Sequence, residues 1–502
     1  MKDTDDEVRG WWRRGWFLRI STIVAPPLGL VLVWIDRKRS IWRKVLGTVG
    51  IACYCIIYWA VAVTLLYRSG SKHVEWPGGY LPRIVLVPTL PDYERVEADR
   101  AQPKLTSKPI THSSRSYWTG YRGPNRDGVY SETAISTNWP TGGMKEVWRK
   151  PIGGGYGSFA IADGLAFTIE QRREFEVASA YDVQTGAEVW TNAWKGFFQE
   201  SMGGDGPRAT PTYSAGKIYA QGAEGELRCI QADSGTTVWS KNILQDNGAW
   251  NSFYGIAPSP LIVDNLVIVP PGGPRNRAVV AYNRDNGSFV WGSQNDEAAY
   301  SSPMIANLGG VRQILVVMQS RALGLVPETG ALLWEHPWIV LHGNRNIAQP
   351  LLISTNRLFL SAGYGTGCEL VEISNQAGKL AAQSIWKNRN MKNKFTSSVL
   401  ADGFIYGLDE DILTCLDAVT GERKWKGGRY GYGQIVLAAP RDLIILGGQG
   451  ELALVEINPT EPHELNRFRA LPGKTWNHPA ISSGYLLIRN AVEMVCYDLK
   501  AQ

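Results

Sequence analysis

The chain has 502 residues, rich in tryptophan (20) and glycine (54), with a formal net charge of +6. That excess lies wholly in residues 1–70, which hold eleven basic side chains against five acidic ones, while residues 71–502 balance at 41 and 41. A body without a net basic field excludes nucleic acid as an expected partner, and the composition suits an all-β protein with many tight turns.

Two apolar stretches open the chain. Phe17–Ile35 is interrupted by Arg19 and Pro26-Pro27, whereas Val45–Tyr67 carries no charge and is long enough to span a bilayer. Between them Asp36–Lys44 (DRKRSIWRK) places five basic residues in nine. The positive-inside rule keeps such a loop cytoplasmic, so the residues after Arg68 are expected on the extracytoplasmic (periplasmic) side. The first stretch either spans or re-enters. Residues 1–70 therefore read as a retained membrane anchor of one or two helices. Residues 71–116, with six prolines and no sustained periodicity, read as a linker.

From Trp148 onward one pattern recurs: a strand, a glycine turn and a second strand ending in Trp. Its clearest copies are Tyr181–Trp190 (YDVQTGAEVW), Ile230–Trp239, Tyr282–Trp291, Leu325–Trp334 and Leu416–Trp425. The anchors Trp148, Trp190, Trp239, Trp291, Trp334, Trp386, Trp425 and, degenerately, Phe468 are 39 to 52 residues apart, the length of a four-stranded blade. A second element begins with a small or polar residue at Ser158, Thr210, Ser259, Ser302, Gln349, Ser398, Gln434 and His478, followed by a strand and a turn such as Asp163-Gly164. Both counts give eight. Residues 117–502 are thus predicted to form an all-β, eight-bladed propeller. The last copy, Ala480–Leu499, supplies three strands, and the strand at Val147-Trp148 has no blade of its own. The two are expected to pair and shut the ring. The Trp series is then structural, each indole wedged between blades with its N–H bonded. Cys229 and Cys415 sit six residues before turn glycines, where Ala180 and Ala281 stand in other copies, and read as small buried strand residues.

The signature D-x-x-T-G-x-x-x-W, as in Asp182–Trp190, resembles the repeat of the PQQ-like β-propellers over residues 117–500. That superfamily includes quinoprotein alcohol dehydrogenases and the lipoprotein scaffold of outer-membrane-protein assembly. The chain departs from both branches: it has no vicinal cysteine pair, no CxxCH haem motif and no lipobox. The resemblance implies either a non-enzymatic binding or scaffolding propeller at the envelope, without cofactor, or a PQQ-dependent dehydrogenase that would carry PQQ with calcium.

No catalytic triad, phosphate loop or zinc spacing stands out. The turns within blades are short, but the loops leading into each inner strand are long, and in a propeller these open on one face around the central channel. They carry the candidate binding residues Arg208, Asn251, Tyr254, Tyr300, Arg345, Asn346, Lys392, Lys394, Arg429, Tyr430, Trp476, Asn477 and His478. This basic, aromatic and amide-bearing set suits a protein partner or a small anionic ligand. His478 reads as a structural histidine before a general base, and Asp409-Glu410-Asp411 as a solvated loop before a cation site.

Overall fold

The computed structural model describes residues 33–34, 40–68, 74–79, 82–85, 88–102, 117–140, 142–341, 345–438 and 440–500. The chain divides into two compact units, residues 1–88 and 89–502. In the first, Ile41–Arg68 is a single helix. Its segment Ile41–Leu66 is long and apolar enough to cross a membrane. Large apolar side chains such as Trp42, Leu46, Ile56, Trp59 and Leu65 are exposed around it. A helix apolar on all sides needs lipid or protein about it. Thr64 donates its hydroxyl to the Ala60 carbonyl (2.6 Å), so that polar group is satisfied inside the helix. A two-residue pairing, Val74–Glu75 with Arg83–Ile84, follows. The first apolar stretch, apart from Val33 and Trp34, and the basic residues Arg37–Arg39 lie outside the described residues.

The second unit is the eight-bladed propeller. Blade one comprises Ala160–Ala162, Leu165–Arg172, Phe175–Asp182 and Glu188–Lys195, hydrogen-bonded in that order, and six more four-stranded antiparallel blades follow in the chain. Blade eight is a composite. Its first three strands, Ala480–Ser482, Tyr485–Arg489 and Glu493–Asp498, are completed by Glu146–Pro151, with Trp148 opposite Cys496. The predicted closure is therefore present. Cys229, Cys368, Cys415 and Cys496 are buried free thiols.

The repeat signature is explained at the seams. Asp182 accepts from the backbone N–H of Gln184 (3.0 Å) and Thr185 (2.8 Å), which fixes the turn. Gly186 follows with φ 68°, and a Cβ there would come within 2.6 Å of the Trp148 ring. The glycine thus meets two demands, a left-handed backbone and the close approach of the preceding blade's indole. Gly235 stands in the same way against Trp190 and Gly287 against Trp239. The indole N–H groups of Trp148, Trp190, Trp239, Trp291 and Trp425 donate across the seam to the carbonyls of Val183, Ala232, Arg284, Pro327 and Asn458 at 2.8–3.0 Å, whereas Trp334 donates to Gln313 of its own blade and the Trp386 N–H has no partner among the described residues.

The second repeat element forms a belt around the channel. Backbone N–H groups of Ser158, Thr210 and Ser259 donate to the hydroxyls of Thr210, Ser259 and Ser302 (2.9–3.0 Å), each in the next blade. Gln349 N–H donates to Ser397 Oγ (3.0 Å), so in blade six the belt residue is Ser397, one position before the Ser398 of the sequence pattern. The Gln434 side chain reaches the carbonyls of Phe395 and Trp476, and Ser158 Oγ donates to the His478 carbonyl.

Three features were not anticipated. Val129–Tyr130 adds a parallel fifth strand inside blade seven, against Leu437 and Ala438. Within the stretch read as a linker, Tyr93–Arg100 is a helix capped by Asp92, whose carboxylate accepts from Arg95 N–H. It lies over the closing seam: Arg100 reaches Tyr181 and the Pro151 carbonyl, Asp99 pairs with Lys150, and Arg95 with Glu493. Beneath it, Glu170 accepts from Gly153 N–H (2.6 Å), Ser179 and Tyr181, and pairs with Arg172 (2.8 Å). Burial alone would raise the Glu170 carboxyl, but Arg172, Arg100 and Arg489 outweigh it and hold the group well below the usual range. Buried Arg489 of blade eight bonds Thr168 and the carbonyls of Ile169 and Gly153, tying blade eight to blade one. The closing seam is thus held by charge as well as by Trp148.

Candidate binding site at the channel mouth

The segment Trp118–Gly128 fills part of the channel and forms its floor. Arg122 donates to the carbonyls of Ser397 (3.1 Å), Ser398 (2.8 Å) and Asp127 (2.8 Å). Arg126 donates to those of Ser259, Pro260 and Pro303. Both are buried, with φ 62° and 57°, and burial lowers the Arg126 guanidinium to about 9, so it remains charged at neutral pH. The plug therefore reaches blades three, four and six through carbonyl oxygens. His478 stacks on Trp118 (6.2 Å) at the belt level, and Nδ1 lies 2.7 Å from the Pro479 carbonyl. Burial, with Arg122 adding to it, lowers this imidazole to about 3. It is a neutral, buried part of the floor.

Above the floor the loops leading into all eight blades contribute to a continuous collar. The Arg345 guanidinium lies 4.8 Å from the Tyr254 ring and 5.4 Å from Tyr364. Lys394 Nζ lies 4.6 Å from Tyr364 and 4.7 Å from Tyr432. Phe395 joins Tyr432 (5.8 Å) to Trp476 (4.7 Å), and Trp476 stacks on Tyr156 (5.2 Å). The Tyr156 hydroxyl donates to the Gly203 carbonyl, Tyr254 donates to Met202 Sδ (3.0 Å), and Tyr254 meets Tyr300 (5.6 Å), which closes the circuit. Tyr364 holds φ 56°, an uncommon conformation for a bulky residue, in the turn between the second and third strands of blade five.

The predicted residues divide. Tyr254, Tyr300, Arg345, Lys394 and Trp476 meet in the collar. Arg208 flanks it, between Tyr156 (5.4 Å) and Phe198 (4.7 Å), but it is paired with Glu200 (3.1 Å). Lys392 pairs with Asp409, Lys394 with Glu410 (3.7 Å) and Arg429 with Asp411 (2.6 Å). The acidic triplet is therefore neither a cation site nor a solvated loop; Asp409 is buried and shared with Lys426. Tyr430 packs in the seam between blades six and seven and donates to Glu464 (2.7 Å). The amides hold backbone: Asn251 donates to the Ala223 carbonyl, Asn346 to those of Met318 and Gln319, and Asn477 to those of Gly155 and Gly157. Tyr156, Tyr364 and Lys474, whose Nζ lies 4.8 Å from the Trp476 ring, were missed. Tyr156 sits just before Ser158 in the same kind of loop as the others, a position that would have revealed it. Tyr364 lies in a turn within blade five and gave no such signal.

A closed ring of eight blades built on this Trp-anchored repeat defines a PQQ-like β-propeller. The profile of the family described as outer membrane protein assembly factor BamB matches residues 173–427, about half of the chain, and the chain belongs to that family. No curated protein matches the sequence. Among solved structures, BamB from Moraxella catarrhalis is 14% identical with a TM-score of 0.50, covering 72% of this chain and 98% of that one. The quinohemoprotein alcohol dehydrogenase of Comamonas testosteroni is 11% identical with a TM-score of 0.54, covering 82% and 84%. The quinohemoprotein alcohol dehydrogenase ADHIIG of Pseudomonas putida HK5 is 12% identical with a TM-score of 0.52, covering 82% and 83%. At these identities the likeness is one of fold.

A quinone cofactor held with a divalent cation asks for several oxygen ligands grouped about the ion. Among the described residues no three His, Cys, Asp or Glu side chains are grouped to hold a metal. Two carboxylates on the loops of the mouth, Glu200 and Glu410, are each paired with a cation. The collar's rings and cations suit a flat carboxylate, but its donor set does not fit the metal half of that pair.

Proposed function

We propose that this protein is a non-enzymatic binding module, anchored by the Ile41–Arg68 helix with its propeller on the extracytoplasmic side, that grips an acidic segment of a protein partner at the channel mouth. The observation that carries this reading is Arg345. It is held by two ring faces and, among the described residues, pairs with no carboxylate, unlike Arg208, Lys392, Lys394 and Arg429. A cation fixed in a concave, partly desolvated mouth attracts an anion more strongly than one in open water. The same face supports a protein over a small ion. Trp250 (90% exposed) and Phe253 (63%) stand on the loop into blade three, and Ile339 (60%) and Leu341 (55%) on the loop into blade five. Large apolar side chains held out beside a charged anchor are the usual make-up of a docking surface.

The rival reading is a PQQ-dependent dehydrogenase, supported by the fold likeness to the quinohemoprotein enzymes. One paired experiment separates them. Native membranes containing the full-length protein are crosslinked with and without Arg345→Ala, and the purified protein is titrated with PQQ and calcium and given an alcohol and a dye. The binding module yields a crosslinked partner that Arg345→Ala loses, and no dye reduction. PQQ-dependent dye reduction would overturn it. Retention of glutamate or aspartate alone, with no polypeptide crosslinked, would replace the protein partner by a small anion.

A further inference from the structure

The plug does more than fill part of the channel, because it docks on inner strand edges in a repeated way. Ile161 N–H of blade one donates to the Trp118 carbonyl (2.7 Å), Tyr213 N–H of blade two to Thr119 (2.7 Å), and Leu437 N–H of blade seven to Gly128 (2.9 Å). Each donor stands three residues after its belt residue, Ser158, Thr210 or Gln434. Beside Leu437 the plug goes further and lies parallel as the strand Val129–Tyr130. The inner edge of a blade in this ring is therefore able to accept an extended chain.

Counted the same way from Ser302, Gln349 and Ser397, the equivalent donors in blades four, five and six are Ile305, Leu352 and Leu400. Ile305 pairs with Ile314 and Leu400 with Ile405 in unbroken register, as Ile161 does with Ala166, so their N–H groups point to the channel, while Leu352 stands opposite Leu358 at a β-bulge that interrupts the pairing of its strand. Among the described residues no carbonyl meets these three groups. In their place is a cavity of about 610 Å³, lined by all three residues together with Met304, Leu351 and, across from them, the plug residues Pro124 and Asn125. Asn307 and Arg312, at the ends of strands away from the mouth, mark its outer rim.

We propose that this far end of the channel is a second binding site, which takes an extended apolar polypeptide segment by strand addition to the inner strand of blade five, Leu351–Ser354. Unmet main-chain donors call for main-chain acceptors, and alternate side chains of an added strand fall against the apolar walls. Four residues of strand span about 13 Å, and the cavity volume is in the range of pockets that enclose a small ligand. This site shares no residue with the collar and does not depend on the reading of the mouth.

The probe is a fluorescein-labelled peptide, Thr-Val-Thr-Val-Thr, added to the full-length protein in detergent and followed by fluorescence anisotropy. Binding is expected, weakened about tenfold or more by Asn307→Trp, which fills the rim from an exposed position, and by Leu352→Pro, which removes one donor on an open edge where proline is tolerated. The same peptide N-methylated at alternate residues should not bind, and Arg345→Ala should leave binding unchanged. If Leu352→Pro fails to fold, Asn307→Trp decides. Absence of binding, or binding untouched by Asn307→Trp, overturns the proposal. Equal binding of the N-methylated peptide overturns it too, since the cavity would then take apolar groups without strand addition.

Discussion

Trp148, on the strand that closes blade eight, packs face-on against Gly186 in blade one, where an added Cβ would lie 2.6 Å from the ring. Gly186→Ala should therefore cost twice, about 1–2 kcal/mol for a left-handed alanine and about 1–3 kcal/mol for overpacking. Gly216 is the internal control. Its φ is 76°, yet nothing lies within 4 Å of a Cβ there, so Gly216→Ala should show only the backbone cost. Denaturant midpoints of the two variants measure the difference, and equal midpoints would show that the indole contact contributes nothing.

Removing residues 117–150 should do more damage than its length suggests. It takes away the outer strand of blade eight, the parallel strand of blade seven and both plug arginines, and it exposes the edge of Glu493–Asp498. The truncated protein is expected to lose its single sharp melting transition. A melt as sharp as that of the intact chain would mean that the ring does not need its shared blade.

His478 gives the fold a pH dependence of known sign. Burial and Arg122 hold the ring neutral down to about 3, whereas an unfolded histidine takes up a proton below about 6.5. The contribution is full above pH ~6.5 and declines as pH falls from there toward 3, because only the unfolded chain gains the proton. Glutamine occupies the same belt position in blades five and seven, as Gln349 and Gln434, so His478→Gln is a tolerated replacement. Its melting temperature should fall less between pH 7 and pH 5 than that of the parent. Parallel curves would show that His478 is not the group responsible.

Much of the ring was legible because its rules are local and repeated. The Asp turn, the glycine and the Trp of Asp182–Trp190 recur in step, and the small polar residues ahead of each inner strand turned out to be the belt. The plug was hidden for the opposite reason. Arg122 and Arg126 have no periodic neighbours, and their partners are carbonyls of blades three, four and six, far along the chain. The charge state of the mouth was hidden as well. Lys392, Lys394 and Arg429 look like an anion-attracting set in sequence, but their counter-charges sit on the Asp409–Asp411 turn of the same blade, and folding brings them together. Buried amides such as Asn477 are spent on loop carbonyls, a role that sequence does not distinguish from ligand binding.

The proposed anchoring and its orientation have a direct test. The basic run Asp36–Lys44, whose last four residues form the first turn of the helix Ile41–Arg68, calls for a cytoplasmic N-terminal end of that helix and a propeller on the other side. Protease added to intact spheroplasts should reach residues beyond 70, with cleavage at exposed loops such as Trp250–Phe253. Full protection of the propeller until the membrane is broken would reverse the topology.

The mouth itself is tested by contrasting two arginines that sequence treats alike. Arg345 is held by the faces of Tyr254 and Tyr364 within the collar. Arg429 is 71% exposed and already paired with Asp411 at 2.6 Å. An exposed pair of that kind is worth about 0–1 kcal/mol, so Arg429→Ala should alter neither melting nor partner retention. Arg345→Ala should leave the melting temperature close to that of the parent, since the guanidinium sits on ring faces at the surface of the mouth. It should nevertheless weaken partner retention in membrane crosslinking by about tenfold, the effect of losing about 1.4 kcal/mol at a charged anchor. Arg345→Lys separates charge from shape: a flexible ammonium keeps the charge but loses the planar stacking between two tyrosines. Partial retention by lysine is the expected result. Equal loss in Arg345→Ala and Arg429→Ala would assign the binding to the face as a whole and remove Arg345 from its centre.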